Sequence, residues 1–180
     1  MFVGLVAAKG ESKRFKNKNI HPLEGYPMFW HSGKPLLERD FVDDVYVLTD
    51  SDFVKEYCKE NGVKTIHRPE NASRSEDKLI SVLRYGYYNL DQEYDGVVTI
   101  MANCPGHTAQ QVDSCISMMK DKNLWEVRSF NSSGEESGLM VFSRKIMESN
   151  QDVSYYVGCS VDNVVEIHYE EDLEKVKKSW

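Results

Sequence analysis

Between residues 9 and 18 the chain places Lys9, Lys13, Arg14, Lys16 and Lys18 against a single acid, Glu11. The local balance is +4 in a chain of formal net charge −7, which leaves −11 for all other residues. Cations gathered against an acidic background can meet a polyanion locally. A triphosphate is such a ligand, because transfer at its α-phosphorus concentrates charge on the departing pyrophosphate, where ammonium groups stabilise it. Gly10 and Ser12 within the run allow close backbone approach. On charge alone, a solvated lysine-rich surface loop is an equal reading.

The run follows Phe2–Ala7, a short β-rich apolar stretch that suits a buried first strand, so it leaves the C-terminal end of that strand, where open α/β sheets collect ligands. Further strands are expected at Val45–Leu48, Val63–Ile66, Val97–Met101, Leu139–Phe142 and Val164–Ile167. Thr49-Asp50-Ser51 opens an amphipathic helix that Gly62 closes; Ser75 to Asn89 carries apolar residues at helical spacing, and Thr108 opens another helix. The segment Met28–Arg39 is left open, since Gly33 and Pro35 work against a long helix. Between Asp121 and Gly138 the spacing predicts a loop or hairpin tip, with Asn131-Ser132-Ser133-Gly134 as a turn. Strands alternating with helices imply a sheet flanked by helices.

Composition narrows the class. At 180 residues and 41% hydrophobic content, the chain can bury one good core, and residues 1–180 are read as a single domain. The acidic balance argues against nucleic-acid binding. The apolar stretches are far shorter than the roughly 20 residues that span a bilayer, and Met1 runs straight into a strand, so no membrane partner and a cytoplasmic location are expected. Cys58, Cys104, Cys115 and Cys159 form no CxxC pair, which argues against a zinc or disulfide framework.

The order of residues from Leu5 to Ile20, with Ala8-Lys9-Gly10-Glu11-Ser12-Lys13 followed by Lys18-Asn19, resembles without gaps the A-R-G-G-S-K-x-x-x-x-K-N signature of the CMP-sialic acid synthetase-like cytidylyltransferases. It is neither a Walker loop nor a dinucleotide fingerprint. Gly25-Tyr26-Pro27-Met28 is similar to that family's G-K-P-L, Val45–Ser51 to its V-V-V-S-T-D-S, and Arg68-Pro69 to the R-P after its third strand. Asn103-Cys104-Pro105 falls at its T-S-P and Ile167–Leu173 at its I-D-T-E-E-D-L, so the resemblance spans nearly the whole chain.

The resemblance implies a nucleotide-diphospho-sugar transferase-like α/β fold with a mostly parallel central sheet flanked by helices. It implies that CTP and a sugar acid or related polyol give a CMP-linked product and pyrophosphate, as in surface-glycan synthesis. Ala8, Lys9, Gly10, Ser12, Lys13, Lys18 and Asn19 would then hold the triphosphate, with Lys9 and Lys18 catalytic. Arg68 and Ser75 would read the cytosine, and Asn103 and His107 would face the acceptor. Glu166 and His168 stand at the family's D-x-D and would hold Mg²⁺. Lys9 replaces an arginine, keeping charge and losing the bidentate fork. Met101 stands at a glutamine, and no covalent nucleophile is evident. A homodimer is a further expectation. Two alternatives are a nucleotide- or partner-binding relative without catalysis, and a sugar-phosphate nucleotidyltransferase using UTP or GTP.

Overall fold

The computed structural model describes residues 1–12, 15–38, 41–69, 78–149, 157–160 and 164–179. In chain order these form β1 (Phe2–Ala7), a 3₁₀ turn (Lys18–Ile20), β2 (Pro22–Leu23), β3 (Tyr26–Pro27), α1 (Met28–Leu37), β4 (Asp44–Thr49), α2 (Asp52–Glu60), β5 (Lys64–His67) and α3 (Leu79–Tyr88). Then follow β6 (Gly96–Ile100), α4 (Ala109–Lys122), β7 (Glu126–Phe130), β8 (Glu136–Ser143), α5 (Arg144–Glu148), β9 (Val157–Ser160), a 3₁₀ turn (Glu170–Asp172) and α6 (Leu173–Ser179).

Seven strands make one sheet in the order β5-β4-β1-β6-β8-β7-β9. Among the described strands of this sheet, only β8 runs antiparallel to its neighbours. Because β4 and β5 lie to one side of β1 and β6 to the other, the winding reverses between β1 and β6. The loops after these two strands therefore diverge and leave a crevice at their C-terminal ends.

Alternation along β1 assigns its residues to two faces. Phe2, Val6 and Ala8 enter a core with Phe29 and Leu36 of α1, Val54 and Cys58 of α2, and Val112, Cys115 and Ile116 of α4. Val3 and Leu5 enter the opposite core with Val82, Leu83 and Tyr87 of α3 and Ile146 and Met147 of α5. A strand buried on both faces needs a continuous apolar run, and Phe2–Ala7 supplies it.

Local signals read from the sequence recur. Ser51 caps α2 by accepting from the Val54 N–H at 3.4 Å, and Gly62 follows its end at φ 70°. Thr108 and Gln111 form a reciprocal capping box at the start of α4. The segment left open is helix α1, which carries Pro35 near its last turn.

Two expectations are corrected. Residues 164–167 are not a strand; Ile167 donates its N–H to the Asn103 carbonyl at 2.8 Å. The region from Asp121 to Gly138 holds the whole strand β7 as well as a hairpin tip, where Gly134 donates to the Asn131 carbonyl at 2.9 Å.

Candidate active site

The basic loop is pinned where it leaves β1. Ala8 is buried and donates to the Leu48 carbonyl at 3.0 Å, extending the strand pairing by one residue. Two residues on, Gly10 donates its N–H to Oδ1 of Asp50, which follows β4, at 2.6 Å. A Cβ at Gly10 would lie 3.2 Å from the Ser51 Cβ and 3.4 Å from that carboxylate oxygen. The missing side chain is what lets the loop lie against the start of α2.

The far end of the loop is tied back on itself. Asn19, buried, donates from Nδ2 to the Lys9 carbonyl at 2.9 Å. In the middle of this cationic run, Phe15 turns inward and packs with Leu23, Met28, Ile167, Leu173 and Val176 in a third apolar cluster. Burying one aromatic fixes the loop, while Lys9, Gly10 and Ser12 stay partly accessible. Lys13 and Arg14 lie outside the described residues.

The same small cluster brings the segment after residue 164 against the loop. Lys18 donates from Nζ to the Ile167 carbonyl at 2.8 Å. From the loop after β6, Asn103 donates to that carbonyl and to Oε1 of Glu166, each at 3.0 Å. The other carboxylate oxygen of Glu166 lies 3.2 Å from Nε2 of His168. Loop, crevice and C-terminal segment thus meet at Asn103, Lys18 and Glu166.

His107 is placed differently from a residue facing an acceptor. It is buried, with Nε2 at 2.7 Å from the Ser137 carbonyl and Nδ1 at 3.3 Å from Oε1 of Gln111, so it braces the start of α4 against β8. Burial pulls its pKa below the ordinary value, and hydrogen bonds to Ser137 and Gln111 only partly offset this. Cys104 is buried next to Gly138, and burial, with Glu166 nearby, pushes its thiol well above the usual range. Such a thiol is not a nucleophile.

Arg68 continues the β4–β5 pairing by donating its N–H to the Thr49 carbonyl at 2.9 Å, and it is buried. That places it at the same end of the sheet as the loop, on the far side of β4. Ser75 lies outside the described residues.

Sequence reasoning passed over three contributors. Asp50 was legible only as a capping residue, although its position one strand from β1 at the ligand-bearing edge was a signal. Phe15 is hidden by the charges around it. The Ile167 carbonyl is backbone and leaves no trace in the sequence.

For a cation, the described residues gather no group of three or more His, Cys, Asp and Glu. The pair Glu166 and His168 nevertheless fits a partial site. Two ligands at right angles and roughly 2.1 Å from one ion are about 3.0 Å apart, close to the observed spacing. Ions that act on phosphates commonly take one or two protein ligands and complete their shell with phosphate oxygens and water.

A cytidylyltransferase family profile matches residues 3–175. The chain is 25% identical over 118 residues to the 3-deoxy-manno-octulosonate cytidylyltransferase of Zea mays, covering 66% of this chain and 38% of that protein. It is 24% identical over 139 residues to an N-acylneuraminate cytidylyltransferase of Streptococcus agalactiae, covering 75% of this chain and 33% of that one. The chain therefore spans about a third of the length of these relatives. Among solved structures, its fold is similar to that of CMP:2-keto-3-deoxy-manno-octonic acid synthetase complexed with CTP, at 15% identity and a TM-score of 0.82 over 98% of this chain and 97% of that one. It is also similar to a Mycobacterium tuberculosis protein complexed with manganese, at 12% identity and a TM-score of 0.70 over 99% of both chains.

Proposed function

Because this chain belongs to the cytidylyltransferase family, we propose that it transfers the cytidylyl group of CTP to a hydroxyl of a sugar acid or related polyol. The acceptor oxygen attacks the α-phosphorus, the bond from that phosphorus to the bridging oxygen breaks, pyrophosphate leaves, and the acceptor hydroxyl loses its proton. The observation that carries this reading is the pinned cationic loop at the winding reversal, held by Asp50 and Asn19 at the edge where such sheets bind ligands.

In this reading Lys9, Lys13 and Lys18 neutralise the triphosphate. Ala8, Gly10, Ser12 and Asn19 shape the backbone that receives it. Arg68 and Ser75 meet the cytosine. Asn103 faces the crevice and fixes Glu166, and His107 supports the acceptor wall from behind rather than touching the acceptor. A divalent cation such as Mg²⁺, held by Glu166 and His168, would neutralise charge developing on the phosphate oxygens. The structure of a relative with CTP and that of another with manganese are in keeping with a nucleotide and a divalent ion as partners. The chain works in the cytoplasm and pairs as a homodimer in this reading; among the described residues, no helix is long and apolar enough to cross a membrane.

The test is pyrophosphate release from CTP, UTP and GTP across a panel of keto sugar acids with a divalent cation. Release that requires both CTP and an acceptor supports the proposal. CTP binding without release from any acceptor supports instead a nucleotide-binding relative without catalysis, the reading favoured by the imidazole at residue 168.

A further inference from the structure

Glu166 and His168 lie two residues apart in the chain, with one carboxylate oxygen and one imidazole nitrogen at 3.2 Å. The backbone between them is held from several sides. Lys18 and Asn103 both donate to the Ile167 carbonyl, and Ile167 donates back to the Asn103 carbonyl. Asn103 also occupies Oε1 of Glu166, which leaves Oε2 as the oxygen beside His168. A ligand set whose carboxylate is oriented by a second hydrogen bond is the usual construction of a metal site.

The neighbouring carboxylate is committed elsewhere. Asp172 accepts from the N–H groups of His168 and Tyr169 with Oδ2, and from Lys175 with Oδ1 at 2.7 Å. Its pKa is held down to about 2, first by Lys175 and then by those N–H groups. Cys104, the nearest thiol, is sealed inside. Of these four side chains, Glu166 and His168 are the two that present a carboxylate oxygen and an imidazole nitrogen to an ion. Both side chains are open to solvent, at 28% and 41% exposure for Glu166 and His168.

We propose that His168 determines which ion this site accepts, turning it from Mg²⁺ toward first-row transition ions. This rests on the reading of Glu166 and His168 as the protein ligands of the cation. Mg²⁺ is hard and takes oxygen, whereas affinity for an imidazole rises through the series from Mn²⁺ to Co²⁺. In a site completed by triphosphate oxygens, the single nitrogen is the ligand that distinguishes these ions.

The full-length protein with CTP is titrated with Mg²⁺, Mn²⁺ and Co²⁺ by calorimetry. Binding of Mn²⁺ is also followed by pulsed electron paramagnetic resonance on protein labelled with ¹⁵N-histidine. The expected order is Co²⁺ tighter than Mn²⁺ and Mn²⁺ tighter than Mg²⁺ by about tenfold, the scale on which even supporting residues act on metal affinity. A ¹⁵N coupling to bound Mn²⁺ should be present in the native protein and absent in His168→Asp. That variant restores an oxygen ligand and should bring Mn²⁺ and Mg²⁺ to similar affinities. If Mn²⁺ binds with no histidine coupling and His168→Asp keeps the native preference, the inference on selectivity is overturned while the cation site stands. If Glu166→Gln and His168→Ala both bind every ion as the native protein does, the site itself is misplaced.

Discussion

The ammonium group of Lys18 lies 2.8 Å from the carbonyl oxygen of Ile167, a residue 149 positions further along the chain. Through that bond the loop after the first strand and the segment bearing Glu166 and His168 become one unit. A charge in this position can hold a phosphate and the backbone of its neighbour at once, since an ammonium carries three donors. In the proposed function, nucleotide binding and the docking of the segment around Ile167 would be coupled through this one side chain.

Replacing Lys18 by Met keeps the stem and removes the donor. A hydrogen bond to a charged group contributes about 1.5–3 kcal/mol, so CTP affinity should fall by at least roughly tenfold. The Ile167 amide, paired with Asn103, should exchange faster with deuterium. Unchanged affinity together with unchanged exchange would show that Lys18 serves neither role.

Gly138 has φ 89°, and a Cβ there would lie 2.5 Å from Sγ of Cys104 and 2.8 Å from its Cβ. Gly138→Ala meets both a strained backbone and a buried neighbour. A loss of about 1–3 kcal/mol in unfolding free energy is expected from the backbone alone. Chemical denaturation measures it, and a neutral substitution would contradict the packing of Cys104 beneath β8.

Cys58 and Cys104 should resist alkylation at pH 8. Burial raises the Cys58 thiol to about 11 and the Cys104 thiol well above the ordinary range, and only a thiolate reacts readily. Mass spectrometry after brief iodoacetamide treatment should find both unmodified in the folded protein and modified in denaturant. Rapid native labelling of Cys104 would contradict its complete burial beside Asn103.

His107 should make stability depend on pH. Its folded-state pKa lies below the ordinary value of 6.5, so the unfolded chain takes up a proton before the folded one does. The contribution is complete above pH 6.5 and is lost as pH falls through the lower folded-state value. Melting temperature should therefore decline from pH 7.5 to 5.5, and less steeply in His107→Gln, which cannot titrate. Identical slopes in the two proteins would contradict the buried neutral imidazole.

The residues legible in the sequence were those whose local pattern matched their final setting. Phe2–Ala7 carries no polar side chain, and Val97–Ile100 is broken only by the buried Thr99, because both faces of the sheet are covered there. Thr108 could be read as a cap because its partner, Gln111, is three residues away. β7 was not legible, because Glu126 and Arg128 alternate with Val127 and Ser129. These charged side chains pair with each other, and Arg128 also pairs with Glu136 at 2.7 Å, so they can lie on a sheet face. Val164–Ile167 misled because Val165 and Ile167 pack in the cluster around Phe15, not on a strand face.

The candidate site follows the same division. The loop's charge and its glycine were visible because they are consecutive, and the outlying Glu166 and His168 came only through a family likeness. Nothing local announces that Asn103 orients Glu166 from 63 residues away, or that Asp50 holds Gly10 across 40. Those relationships are set by strand order.

Calorimetric titration of CTP in the presence of a divalent cation, comparing the native chain with Lys9→Ala and with Lys9→Ala/Lys18→Met, decides whether this loop holds the triphosphate. The loop after β1 is predicted to be the triphosphate site, so the native protein should bind CTP more tightly than CMP. The single variant should lose about tenfold in affinity and the double variant more, while CMP binding changes little. Equal affinity for CTP in all three proteins would place the triphosphate away from this loop.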